Sequence, residues 1–153
     1  LVGPGIKANM PDLLAALGRS QLARIGVLQQ ERRRLTLRYR AAIELIEGVH
    51  LVPSEHDPHS ADHLLVVRLE LGIDRGEVVR SLAESGISTS IHFRPLHQFA
   101  WMEKHALVGA AGLDAAQAVA GSVLSLPLYP DLADADVDRV CDRLAAAVAT
   151  GPA

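Results

Sequence analysis

Cysteine, aromatic rings and lysine are scarce in this 153-residue sequence, and each scarcity excludes something. A lone cysteine, Cys141, rules out an intramolecular disulfide. Its neighbours Val137, Val140 and Leu144 mark it as a small buried hydrophobe, which fits a reducing, cytoplasmic setting. Phe, Trp and Tyr make up only 3% of the residues. The core must therefore come from Leu, Val, Ile and Ala, which suits helices packed on a small sheet. No apolar run approaches the roughly 18 residues that a membrane-spanning helix needs, so no membrane partner is expected. The net charge of −3 sets up no field that would draw in a polyanion, so nucleic acid is not expected either. There is no Gly-rich phosphate loop, no G-x-S-x-G elbow and no CxxC pair. No Met precedes position 10, and the chain enters abruptly through LVGPGIK, from which we expect a piece of a longer protein.

What is present, 49% hydrophobic and 22% charged residues, suits one compact domain. From Pro11 to about Gly48, Leu14, Leu17, Ile25, Leu28, Leu35, Tyr39, Ala42, Ile43 and Ile46 recur at helical spacing, which predicts one long helix, kinked at Gly18 or Gly26. The polar stretch Gln29 to Arg34 reads as its solvated outer face. Val49 to Val52 and His63 to Leu71 read as strands, separated by a polar loop. Asp74 with Glu77 three residues on predicts a helix start, and Gly86 a helix end. Ile87 to Phe93 alternates like a strand, which would put His92 and Arg94 on one side. Short helices are expected over Gln98 to His105 and Asp114 to Val123, an extended Pro-limited segment over 125 to 132, and a last helix from Asp134. The order predicts an α/β domain whose small, mostly antiparallel sheet is covered by helices on one face.

Three groups of residues could carry chemistry. Lys7 and Asn9 stand just before the predicted helix start at Pro11, where backbone N–H groups and the helix dipole favour an anion. On spacing alone the same residues read more simply as a capped helix start with a solvated lysine. His92, Arg94 and His97 cluster at a strand end, where Arg94 could clamp a carboxylate or phosphate. Either histidine could instead bond a loop carbonyl, and His97 could cap the following helix. Glu55, His56, Asp57, His59 and His63 offer metal-ligating atoms, but a loop without fixed spacing collects such residues for solubility, and no metal is assigned.

The segments GIKANMPDLLAALGRSQLARI, GISTSIHFRPLH and SVLSLPLYPDL stand in the order and spacing of the DegT/DnrJ/StrS sugar aminotransferases, which this chain resembles over nearly its whole length. The resemblance implies the C-terminal small domain of a fold-type-I enzyme that uses pyridoxal 5'-phosphate. Residues 1–12 would be a loop reaching across a homodimer and residues 13–153 the small domain, with the large cofactor-binding domain outside the chain. Such enzymes move an amino group, usually from glutamate, onto a keto sugar attached to a nucleotide. By resemblance Lys7 and Asn9 would reach the neighbouring subunit's cofactor phosphate or nucleotide sugar, and His92, Arg94 and His97 would bind substrate. Many members carry Asn at the position of Lys7 and Arg at that of Asn9. The lysine that binds the cofactor covalently is expected upstream of residue 1, since Lys7 and Lys104 stand outside the family's context for it. A sugar dehydratase of the same fold, with histidine in place of that lysine, and a non-catalytic relative remain open alternatives.

Overall fold

A computed structural model describes residues 9–149. The stripe read as one helix forms two, α1 (Asp12–Ala23) and α2 (Ile25–Ile43). The break falls at Arg24 rather than at either glycine. Its backbone leaves helical geometry (φ −117°, ψ 9°) while its N–H still reaches the carbonyls of Gln21 and Leu22. α2 ends before a turn that closes on Gly48, whose φ of +79° disfavours any side chain and where an added β-carbon would come within 2.8 Å of Ile73 Cδ1.

Three antiparallel strands follow the order β1 (Val49–Val52), β2 (Leu65–Leu69), β3 (Val123–Leu126). Val49 pairs with Leu69, and Leu65 with Leu126. Alternation along the strands turns Val49, Leu51, Leu65, Val67, Leu69, Leu124 and Leu126 into the core. Three helices cover that face: α2 through Leu35, Tyr39 and Ile43, α3 (Arg75–Glu84) through Val78 and Leu82, and the last helix (Asp134–Ala149) through Val137, Val140, Cys141 and Leu144. Asp74 caps α3 as expected, accepting from the N–H groups of Gly76 and Glu77, and Gly86 (φ +74°) lets the chain turn away from its end. The expected α/β architecture is the one observed.

Further expectations require correction. Ile87 to Phe93 is not a strand. It makes one isolated bridge, Ser90 to Ser125, and its apolar set is split, with Ile87 buried and Ile91 and Phe93 exposed. The extended segment that opens at residue 125 is in part the true third strand, since Val123 to Leu126 pairs with β2 before Pro127 ends the ladder. The polar stretch of α2 also does more than face water. Gln29 donates to the carbonyl of Ser60 at 3.1 Å, Arg33 to that of Pro58, and Arg40 to those of Pro53 and Ser54, which clasp the 53–62 loop to the helix. Arg34 and Arg38 pair with Asp134 and Asp138 across to the last helix. All four are roughly half exposed, so the network orients two helices more than it stabilises them.

Burial pushes the Cys141 thiol up to about 11, and it raises the Tyr39 phenol further above its ordinary value of 10.0. Both groups stay neutral in the fold and lose their protons sooner in the unfolded chain, so unfolding releases protons in alkali. Stability should hold level up to the unfolded thiol's range near 9 and then fall as the pH rises towards 11. Urea midpoints measured across that window should decline, and Cys141→Ala should flatten the first part of the decline. A level profile in the unsubstituted protein would show that neither group is buried.

Candidate active site

The segment that carries His92 leaves the sheet edge through the Ser90–Ser125 bridge. There Ser125 N–H donates to the Ser90 carbonyl at 2.7 Å, and Ser90 N–H returns the bond at 3.1 Å. Two residues on, His92 Nδ1 lies 3.0 Å from Ser125 Oγ. Ser125 is 4% exposed, while His92 is an exposed residue. The Phe93 ring stands edge-on to that of His92 at 4.9 Å.

Beyond it the chain turns at Pro95 (φ −60°) into a 3-10 turn, Leu96–Gln98. Arg94 closes this turn from outside. Its Nη2 donates to the Gln98 carbonyl at 2.6 Å, and its guanidinium carbon sits 5.1 Å from the centre of the Phe99 ring. One nitrogen is thus engaged, and the remaining N–H groups are available to an anion. His97 does not cap the short helix α4 (Ala100–His105). Its Nε2 bonds Gln117 Oε1 at 2.7 Å, reaching helix α5 (Asp114–Ala120). Among the described residues no hydrogen bond joins any two of His92, Arg94 and His97. They share one turn, but β3, the turn itself and α5 hold them separately.

Around the turn lie Ile91, Phe93, Leu96, Phe99 and Trp101, all exposed, and α1 buries none of its residues, leaving Leu13, Leu14, Leu17 and Leu22 open. So much unpartnered apolar side chain is unusual for a self-contained monomer.

Of the first group, Lys7 lies outside the described residues. Asn9 is exposed, two residues before Pro11, and no side chain caps α1. Asp12 adds a negative charge to the first turn, where it favours the helix and disfavours a second anion. In the loop considered for metal, His56 Nε2 lies 3.1 Å from Asp62, which is buried, and Asp57 accepts from the His59 N–H at 2.8 Å. These are bonds within the loop.

Sequence reasoning missed Ser125, Gln117 and Phe99. The first two stand 33 and 20 residues from their histidines, and only the pairing of the bridge brings Ser125 near. The serines at 88 and 90, followed by His92 on one face, were the available signal.

The DegT/DnrJ/EryC1/StrS aminotransferase family model matches residues 2–145. The spore coat polysaccharide biosynthesis protein SpsC of Bacillus subtilis (strain 168) is 38% identical over 146 residues, covering 92% of this chain and 37% of its own length. The UDP-4-amino-4-deoxy-L-arabinose–oxoglutarate aminotransferase of Shewanella sediminis (strain HAW-EB3) is 32% identical over 149 residues, covering 92% and 38%. Among solved structures, the PLP-form of a sugar aminotransferase of Streptococcus pneumoniae superposes with a TM-score of 0.85 at 26% identity, covering 97% of this chain and 38% of that one. The chain thus spans somewhat over a third of the length of the relatives it matches, and its fold is that of the corresponding part of a fold-type-I aminotransferase. A match to the family model along almost all of the sequence, on a fold that the relatives share, means that this chain belongs to the DegT/DnrJ/EryC1/StrS aminotransferase family.

Proposed function

We propose that this chain is the small-domain part of a cytoplasmic, homodimeric aminotransferase that moves an amino group from glutamate to a nucleotide-linked keto sugar with pyridoxal 5'-phosphate. The observation that carries the reading is the match of residues 2–145 to the family model. The Shewanella relative, whose name specifies a UDP-linked sugar and oxoglutarate, supports the choice of substrates. The open apolar faces of α1 and of the 91–101 turn support a larger assembly in which the rest of the protein and a second copy cover them. We take residues 1–12 as the loop that crosses the dimer and residues 13–153 as the small domain, with the large domain and its lysine in the remainder of the protein.

Pyridoxal phosphate, when bound, supplies the electron sink for the proton transfers of amino exchange. The described residues fit only the rim of its site. Asn9 is exposed beside the uncapped start of α1, whose N–H groups suit a phosphate oxygen, and the Asp12 carboxylate limits how close that oxygen comes. Lys7 would add a cation to the same rim. His92 and Arg94 would hold the substrate, the first by a ring nitrogen and the second by its free N–H groups, while His97 braces the turn against α5.

The full-length protein, given glutamate and a nucleotide-linked keto sugar, should release 2-oxoglutarate. Borohydride should fix the cofactor on a lysine outside residues 1–153. Failure to reduce any lysine onto the cofactor would refute the aminotransferase and leave the dehydratase or a ligand-binding relative.

A further inference from the structure

We propose that Ser125 is a positioning residue that fixes the tautomer of His92, so that His92 meets the substrate as a hydrogen-bond donor and not as a base. The inference rests on the substrate-binding role of His92 proposed above, although its central observation stands without it. Ser125 Oγ is the one side-chain hydrogen-bond partner that the described residues give His92, 3.0 Å from Nδ1. Two arrangements satisfy that distance. If Nδ1 carried the proton and donated to Oγ, the serine's own proton would need another acceptor. None is found among the described residues, and at 4% exposure water is largely shut out. If the hydroxyl donates to a bare Nδ1, every group is satisfied and the ring proton sits on Nε2. That nitrogen is on the far side of the ring from the serine, and His92 is an exposed residue.

The sheet makes the serine a fixed post. Its backbone pairs with Val66 of β2 on one side and exchanges two hydrogen bonds with Ser90 on the other. The Ser125 Cβ therefore has one direction available, and the hydroxyl meets the ring two residues beyond the bridge. An Nε2–H group suits a substrate oxygen, and it cannot take up a proton at that position while the ring stays neutral. Proton movement at carbon is thereby left to another group.

The test is a long-range proton–nitrogen correlation spectrum of the protein with 15N-labelled histidine at about pH 8, where an ordinary imidazole is neutral, His92 being assigned by His92→Gln. The expected spectrum shows the proton on Nε2 and a bare Nδ1 displaced by hydrogen bonding. Ser125→Ala should remove that displacement and Ser125→Thr should restore it. A proton on Nδ1, or an Nδ1 signal indifferent to Ser125→Ala, overturns the proposal. The unsubstituted spectrum decides the proton's place even if Ser125→Ala does not fold. In the full-length enzyme Ser125→Ala should lower kcat/KM for the sugar about tenfold, mainly through KM, with rescue by threonine; an unchanged KM would overturn the positioning role. Correct spectra together with an absence of amino transfer would refute the proposed reaction and leave the tautomer assignment intact.

Discussion

Tyr39→Ala is expected to destabilise the domain by about 3–5 kcal/mol, the range for removing a large buried aromatic side chain. Against a typical folding free energy of roughly 5–15 kcal/mol, this is a large share of the stability. Tyr39 is completely buried near the C-terminal end of α2, in one core with strand residues and the last helix. With so few aromatic residues in the sequence, no other ring stands ready to fill the space. Its hydroxyl adds a separate contribution by donating to the Pro127 carbonyl at 3.0 Å, which ties α2 to the chain just beyond β3. Tyr39→Phe removes only that bond and should cost about 1 kcal/mol. Urea unfolding of the two variants separates ring from hydroxyl. A loss below about 1 kcal/mol for Tyr39→Ala would remove Tyr39 from the core, since cavity formation alone exceeds it.

The same helix shows what was legible in the sequence. The stripe Leu35, Tyr39, Ile43 was read from spacing and is buried. The stripe continues backwards through Leu14, Leu17 and Ile25, yet those residues are exposed. Periodicity identifies an apolar face and says nothing of what covers it. The break at Arg24 was also hidden, because it depends on backbone geometry that an arginine adopts as readily as many residues. The strand read at Ile87 to Phe93 failed for a related reason. Its alternation is genuine, but a strand needs a partner in register, and β3 meets it only at Ser90. Asp74 and Gly86 were readable because caps act locally, within three residues. The partners of His92 and His97 come from β3 and α5 and could not be read from spacing, since they depend on how distant segments meet.

Under the aminotransferase reading proposed above, His92→Ala and Arg94→Ala in the full-length protein should each lower kcat/KM for the sugar about 100-fold while retaining the cofactor. The expectation for His92 follows from its attachment. A ring fixed at Nδ1 by a buried serine offers its other nitrogen with little freedom to lose, so removing it sacrifices a preorganised contact. For Arg94 the reasoning differs, because part of its guanidinium is already used. The bond to the Gln98 carbonyl and the Phe99 ring hold it in place, and only the unengaged N–H groups are left for an anion. Arg94→Lys keeps the charge but loses the planar fork, so it should recover little of the loss if the arginine grips an anion with two bonds, and most of it if charge alone matters. His97→Ala is the contrast. Its ring is committed to Gln117, so its removal should loosen the turn and raise KM modestly. Cofactor absorbance and kcat/KM measured on the same preparations decide between the roles. Cofactor loss in parallel with activity for His92→Ala or Arg94→Ala would make these residues structural and sink the substrate-binding assignment.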